Sequence, residues 1–205
     1  MRKRKKALSV TNNYEKFLHD FGFDIKYGLK TWDDVLKFPK QDEVPVPRRP
    51  NEGLQHWKGK RNIIELFKEY NEKSFRFLIW SEVQQVIPSH IEAFDGERSY
   101  EPDIIIFDKI AFSKKHPHYG IYIIEIDGKE NHFNPHEVYK DSVRDDHFFD
   151  TYNAVTIRII RWFATGRQCI YNEFSDVNDM MIYTANEQKV DQNKRLGKVP
   201  LINNV

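Results

Sequence analysis

Residues 121–129 read IYIIEIDGK, an apolar run that gains two carboxylates, a glycine and a lysine in its last five places. Isoleucine and tyrosine at this density predict a buried β-strand. Side chains alternate across a strand, so Ile121, Ile123, Glu125 and Asp127 share one face and Tyr122, Ile124 and Ile126 the other. Two acids so close repel each other and raise each other's pKa unless a cation lies between them, and a divalent metal is the natural one. Asp103, in PDIIIFD (102–108), opens the preceding strand. If that strand lies alongside, its carboxylate completes an oxygen-rich site suited to Mg²⁺. The same residues admit a plainer account, in which Glu125 and Asp127 face solvent beside a turn made by Gly128. Spacing alone does not decide between the two.

The surrounding sequence supplies the rest of an α/β sandwich. FRFLIWSEVQQVI (75–87) and AVTIRIIRWFA (154–164) are rich in β-branched and aromatic residues and predict two further strands. WKGKRNIIELFKEYNEK (57–73) carries Ile63, Ile64, Phe67 and Tyr70 at helical spacing. A second helix is expected from about Pro135 to Tyr152. Helix, three strands, helix, strand is the order of a layered α/β unit. Upstream, a short helix is expected around Tyr14 to Phe21, and in TWDDVLKF (31–38) Thr31 caps a turn carrying Trp32, Val35, Leu36 and Phe38. FPKQDEVPVPRRPNEG (38–53) holds four prolines, which break helices and ladders alike, so it reads as an extended connector. The expected organisation is therefore a basic arm, accessory element and connector over 1–55, a core over 56–165, and a partly flexible C-terminal extension over 166–205.

With 205 residues, 40% of them hydrophobic, the chain can build one substantial core. A formal net charge of +1 gives no global basic signal, so affinity for a polyanion must come from local patches such as RKRKK (2–6). A single cysteine, Cys169, excludes an internal disulfide framework and a multi-cysteine zinc site. The sequence holds no long apolar run and no signal-peptide pattern, so the expectation is a cytoplasmic protein with no membrane partner.

The PD at 102–103 followed by EID at 125–127 is similar to the PD-(D/E)XK nuclease pattern. The longer runs IIEIDGKENH (123–132) and YKDSVRDDHFFDTYNAVTIRIIRWF (139–163) resemble the branch related to very-short-patch-repair endonucleases. Glu125, Asp127 and Gly128 match that branch's strand end, His132 its nearby histidine, Asp141 and Arg144 its Asp-x-x-Arg helix, and Arg161, Trp162 and Phe163 its last strand. Glu65 matches an acid many members carry on the first helix, and Gln85 a glutamine in the first strand. The resemblance covers about 60–163. It implies a restriction-endonuclease-like core, with a mixed central sheet of about four or five strands flanked by helices. It also implies a Mg²⁺-dependent DNA endonuclease, with Mn²⁺ able to substitute, whose metal is held by Asp103, Glu125 and Glu65, and which works beside the nucleoid.

One departure stands out. The pattern's lysine, which orients the attacking water, is replaced by Asp127, and Lys129 and Lys140 are the candidates to serve instead. Lys140, Arg144 and His147 follow one another at i, i+4 and i+7 on the second helix. Metal-assisted hydrolysis of a phosphodiester is the chemistry implied, with Glu65, Asp103, Glu125 and Asp127 as its acids. DNA contacts are expected from Arg2, Lys3, Arg4, Lys5 and Lys6, through counterion release, and from Arg144 and His132. A partner protein or a second copy is also expected. The alternative is a DNA-binding or assembly subunit that has lost catalysis, and a third reading is a transposon-end or phage-type nuclease acting in a larger complex. His132 and His136 do not read as a zinc pair, because Pro135 lies between them. SKKHPHYG (113–120) reads as a solvated loop; of Arg158 and Arg161 one is expected to face the site and the other solvent, and a plain surface reading of both stays equally open.

Overall fold

The computed structural model describes residues 13–81, 102–110, 119–127 and 135–160, with the side chains of 72–74, 135–138, 140 and 160 outside that description. A helix over 13–20 (α1) is followed by α2 (Phe23–Tyr27), α3 (Trp32–Lys37) and α4 (Leu54–Ser74). Then come β1 (Phe77–Trp80), β2 (Ile104–Asp108), β3 (Ile121–Asp127), α5 (Pro135–Tyr152) and β4 (Ala154–Ile160). The strands lie in the order β1-β2-β3-β4, a mixed four-stranded sheet flanked by helices. β1 with β2 and β2 with β3 are antiparallel, while β3 and β4 are parallel and joined through α5. The helix, three strands, helix and strand expected from periodicity are all present, and α5 has the bounds the sequence implied.

Alternation divides the core into two layers. Ile105, Phe107, Ile121 and Ile123 turn to the face covered by α1–α3 and by Phe148 and Tyr152 of α5. Ile104, Ile106, Tyr122, Ile124 and Ile126 turn to the other, where α4 supplies Ile63, Ile64, Leu66 and Phe67. The first layer is built of rings: Phe107 lies 4.9 Å from both Phe23 and Trp80 and about 6 Å from Phe17 and Trp32. Each such buried aromatic contributes roughly 1.5–3 kcal/mol by removal from water. Residues 13–38, read as an accessory element, thus form one wall of the core.

Local chemistry sets the joints. α3 begins in a capping box, Asp34 N–H donating to the Thr31 side chain and Thr31 N–H to Asp34. α5 stops at Asn153, which adopts φ 54°, a left-handed conformation asparagine tolerates better than most residues. Gly120 has no room for a side chain, since a Cβ there would lie 2.6 Å from the Tyr14 ring, whose hydroxyl accepts the Gly120 N–H at 2.7 Å. The proline-rich stretch runs without helix or strand, as expected, and guards the edge of β1. The Gln41 amide takes the Ile79 N–H at 2.7 Å and donates to the Ile79 carbonyl at 3.1 Å, standing in for a neighbouring strand. At the far end of the sheet from Asp103, Arg76 binds Asp108 through two bonds of 2.8 and 2.6 Å, both side chains buried. The boundary drawn between residues 55 and 56 falls in the first turn of α4. Among the described residues, no helix is long and apolar enough to cross a membrane.

Candidate functional site

Asp103 stands one residue before Ile104, which pairs with Ile124, so it meets β3 beside Glu125. Its Oδ2 accepts the Ile126 N–H at 2.9 Å, which fixes the carboxylate against the end of the neighbouring strand. The antiparallel neighbourhood that the sequence left conditional is therefore present.

What meets Asp103 there comes from the start of α4. His56 Nε2 lies 3.0 Å from Asp103 Oδ2, and its Nδ1 lies 2.7 Å from Glu52 Oε1. One ligand atom from each of Glu52, His56 and Asp103 falls within 4.8 Å of the others, and this is the one such group of three or more found among the described residues. Lys60, itself buried, adds its ammonium 2.6 Å from Glu52 Oε1, and the Arg49 N–H donates to Glu52 Oε2 at 3.1 Å. His56 and Lys60 are one helical turn apart on α4, and Glu52 stands immediately before its N-cap Gly53.

The electrostatics follow from those contacts. Ionised carboxylates only accept hydrogen bonds, so an imidazole held between two of them satisfies both when each ring nitrogen carries a proton. Burial alone would push His56 down, but Asp103 and Glu52 outweigh it and the histidine's pKa is raised. Burial likewise opposes ionisation of Glu52, yet Lys60, His56 and the Arg49 amide hold it below the ordinary carboxylate range. A metal taking His56 must displace a proton from the ring first.

A second group of acids sits beside the first. Glu125, 8% exposed, is opposite Arg158 in the parallel β3–β4 ladder. The Arg158 guanidinium reaches Asp127 at 3.0 Å, Asp141 at 3.2 Å and Asp145 at 2.7 and 2.9 Å. Arg144 joins from α5, 3.0 Å from Asp141. Burial would lower the Arg158 pKa, but Asp145, Asp127 and Asp141 together raise it. Asp127 thus pairs with an arginine of the next strand, where the sequence reading placed a divalent metal.

Of the residues expected at a metal, Asp103 is in the Glu52–His56 group, while Glu125 is adjacent to it through the β2–β3 ladder. Glu65 is not in it: its side chain is half-exposed and pairs with Lys68 at 3.2 Å. Asp141 and Arg144 pair with each other and join Arg158. Lys129, His132, Gln85, Arg161 and the arm Arg2–Lys6 lie outside the described residues, as does the side chain of Lys140. Sequence reasoning missed Glu52, His56 and Lys60, for which the only signal was their spacing of four. No family model, curated protein or solved structure matches the chain.

Proposed function

We propose that the chain is a metal-dependent endodeoxyribonuclease on a restriction-endonuclease-like core, cutting phosphodiester bonds at the end of the sheet where β2 begins and β3 finishes. The observation that carries this reading is the β2–β3 ladder, which sets Asp103 beside Glu125, with His56 of α4 3.0 Å from Asp103. The donor set fits a divalent ion, offering Asp103 and Glu52 oxygens and a His56 nitrogen within 4.8 Å of one another. A bound ion would lower the pKa of a water and draw charge from the scissile phosphate. The protein's own part is positional. The Ile126 amide fixes Asp103, and Arg158 engages Asp127. The resemblance implies Mg²⁺, with Mn²⁺ able to substitute, DNA as substrate and partner, and RKRKK as the electrostatic arm.

The test is relaxation and linearisation of supercoiled plasmid with Mg²⁺ or Mn²⁺, with and without chelator. Cleavage that needs the ion, and is abolished by Asp103→Ala and by Glu125→Ala in folded protein, is the expected result. Undiminished cutting by either variant refutes the site. A second reading, a DNA-binding or assembly subunit without catalysis, is favoured by one observation: the acid in the lysine's place is engaged by Arg158. DNA binding without any ion-dependent cutting selects that reading.

A further inference from the structure

The motif-based expectation was an all-oxygen site, which suits Mg²⁺. The group at the start of α4 has a different chemistry, because its central member is a nitrogen donor. Imidazole with carboxylates suits first-row transition ions, whereas Mg²⁺ is held by oxygens and dehydrates reluctantly. Glu52 and His56 are partly buried and Asp103 is buried, so the group is largely enclosed, with the His56 ring its most exposed side chain at 24%. Its members are also held in place. Glu52 is fixed by Lys60 and the Arg49 amide, and Asp103 by the Ile126 amide, which is the outer-layer support that orients metal ligands. Asp103 Oδ1 takes none of the hydrogen bonds within the group, leaving an oxygen available without breaking a contact.

We infer that Glu52, His56 and Asp103 form a binding site for a divalent first-row transition ion, with His56 as the ligand that selects it over Mg²⁺. Glu52 and Asp103 bring the negative charge, and Lys60 sets the orientation of Glu52 from behind. The site shares Asp103 with the nuclease reading, but it is tested by binding and stands or falls without any cleavage.

Mn²⁺ is the probe, titrated into metal-free full-length protein by calorimetry, with Mg²⁺ titrated separately. The expected result is one saturable Mn²⁺ site, at least about tenfold tighter than Mg²⁺, with His56→Ala weakening Mn²⁺ about tenfold or more and changing Mg²⁺ little. Pulsed electron paramagnetic resonance of the Mn²⁺-loaded wild type should show coupling to an imidazole nitrogen, a readout that needs no variant. His56→Gln serves in place of the alanine variant if the latter does not fold. Equal Mn²⁺ affinity in wild type and a folded His56 variant, or no nitrogen coupling in the wild type, overturns the inference. Loss of cutting with Mn²⁺ binding intact leaves it standing and removes only the nuclease reading.

Discussion

Two groups of acids stand at one end of the sheet, and they are neutralised in different ways. Glu52 and Asp103 are bridged by an imidazole and backed by an ammonium. Asp127, Asp141 and Asp145 are gathered round a guanidinium. A histidine can give up its proton and offer a lone pair, but an arginine stays charged and has none to offer. On the metal-site inference, the first group would exchange its internal cation for a metal, whereas the second is a brace tying α5 to β3 and β4. Glu125 and Asp127 are neighbours on one strand face, yet Asp127 belongs to the brace, and the acid that reaches the exchangeable group is Asp103 from the next strand.

The largest effect should come from breaking the brace. Arg158→Ala leaves three acids with Arg144 as the remaining cation among their described partners, and should cost about 3 kcal/mol in urea unfolding. Mn²⁺ affinity of the folded fraction should not change. A loss below about 1 kcal/mol would mean that the arginine is ornamental and that the contrast between the groups fails. A smaller effect is expected from Asp127→Asn, because Arg158 keeps Asp141 and both bonds to Asp145. It should cost about 1 kcal/mol and leave Mn²⁺ binding as it was. A large fall in Mn²⁺ affinity would join Asp127 to the metal and merge the two groups. The smallest effect is reserved for Glu65→Ala, a half-exposed acid paired with a surface lysine. Its stability should stay within about 0.5 kcal/mol and its metal affinity should match the wild type. A clear drop in affinity would restore Glu65 to the site.

How far these features could be read from sequence depends on the range of the interactions that make them. The facing of Ile121, Ile123, Glu125 and Asp127 is a property of one strand, and alternation alone gives it correctly. The Thr31 cap and the bounds of α5 are also local, written in capping chemistry and helical period. Glu52 and His56 were overlooked because Glu52 follows a run of prolines and His56 precedes the apolar spacing that marks α4. Their meaning lies in a contact with Asp103, 47 residues away from His56, which no local period encodes. The sequence does not choose between a site-facing and a surface Arg158 for the same reason, since its partners come from β3 and α5. The N-terminal aromatics were legible as a helix and a capped turn, but not as a wall of the core, because their partners come from β2, β3 and α5.

That wall has a consequence for how the chain is made. Tyr14, Phe17, Phe21, Phe23 and Trp32 leave the ribosome more than a hundred residues ahead of Phe148 and Tyr152, which finish their enclosure. At synthesis rates of about 5–20 residues per second, the wait is on the order of 6–28 s. During it the early rings have one another, as in the 3.8 Å stack of Phe17 on Phe21, and then Trp80 and Phe107, which reach Phe23 and Trp32 first. Translation speed across residues 40–150 therefore sets how long Phe17 and Phe21 wait for the α5 rings that complete their enclosure.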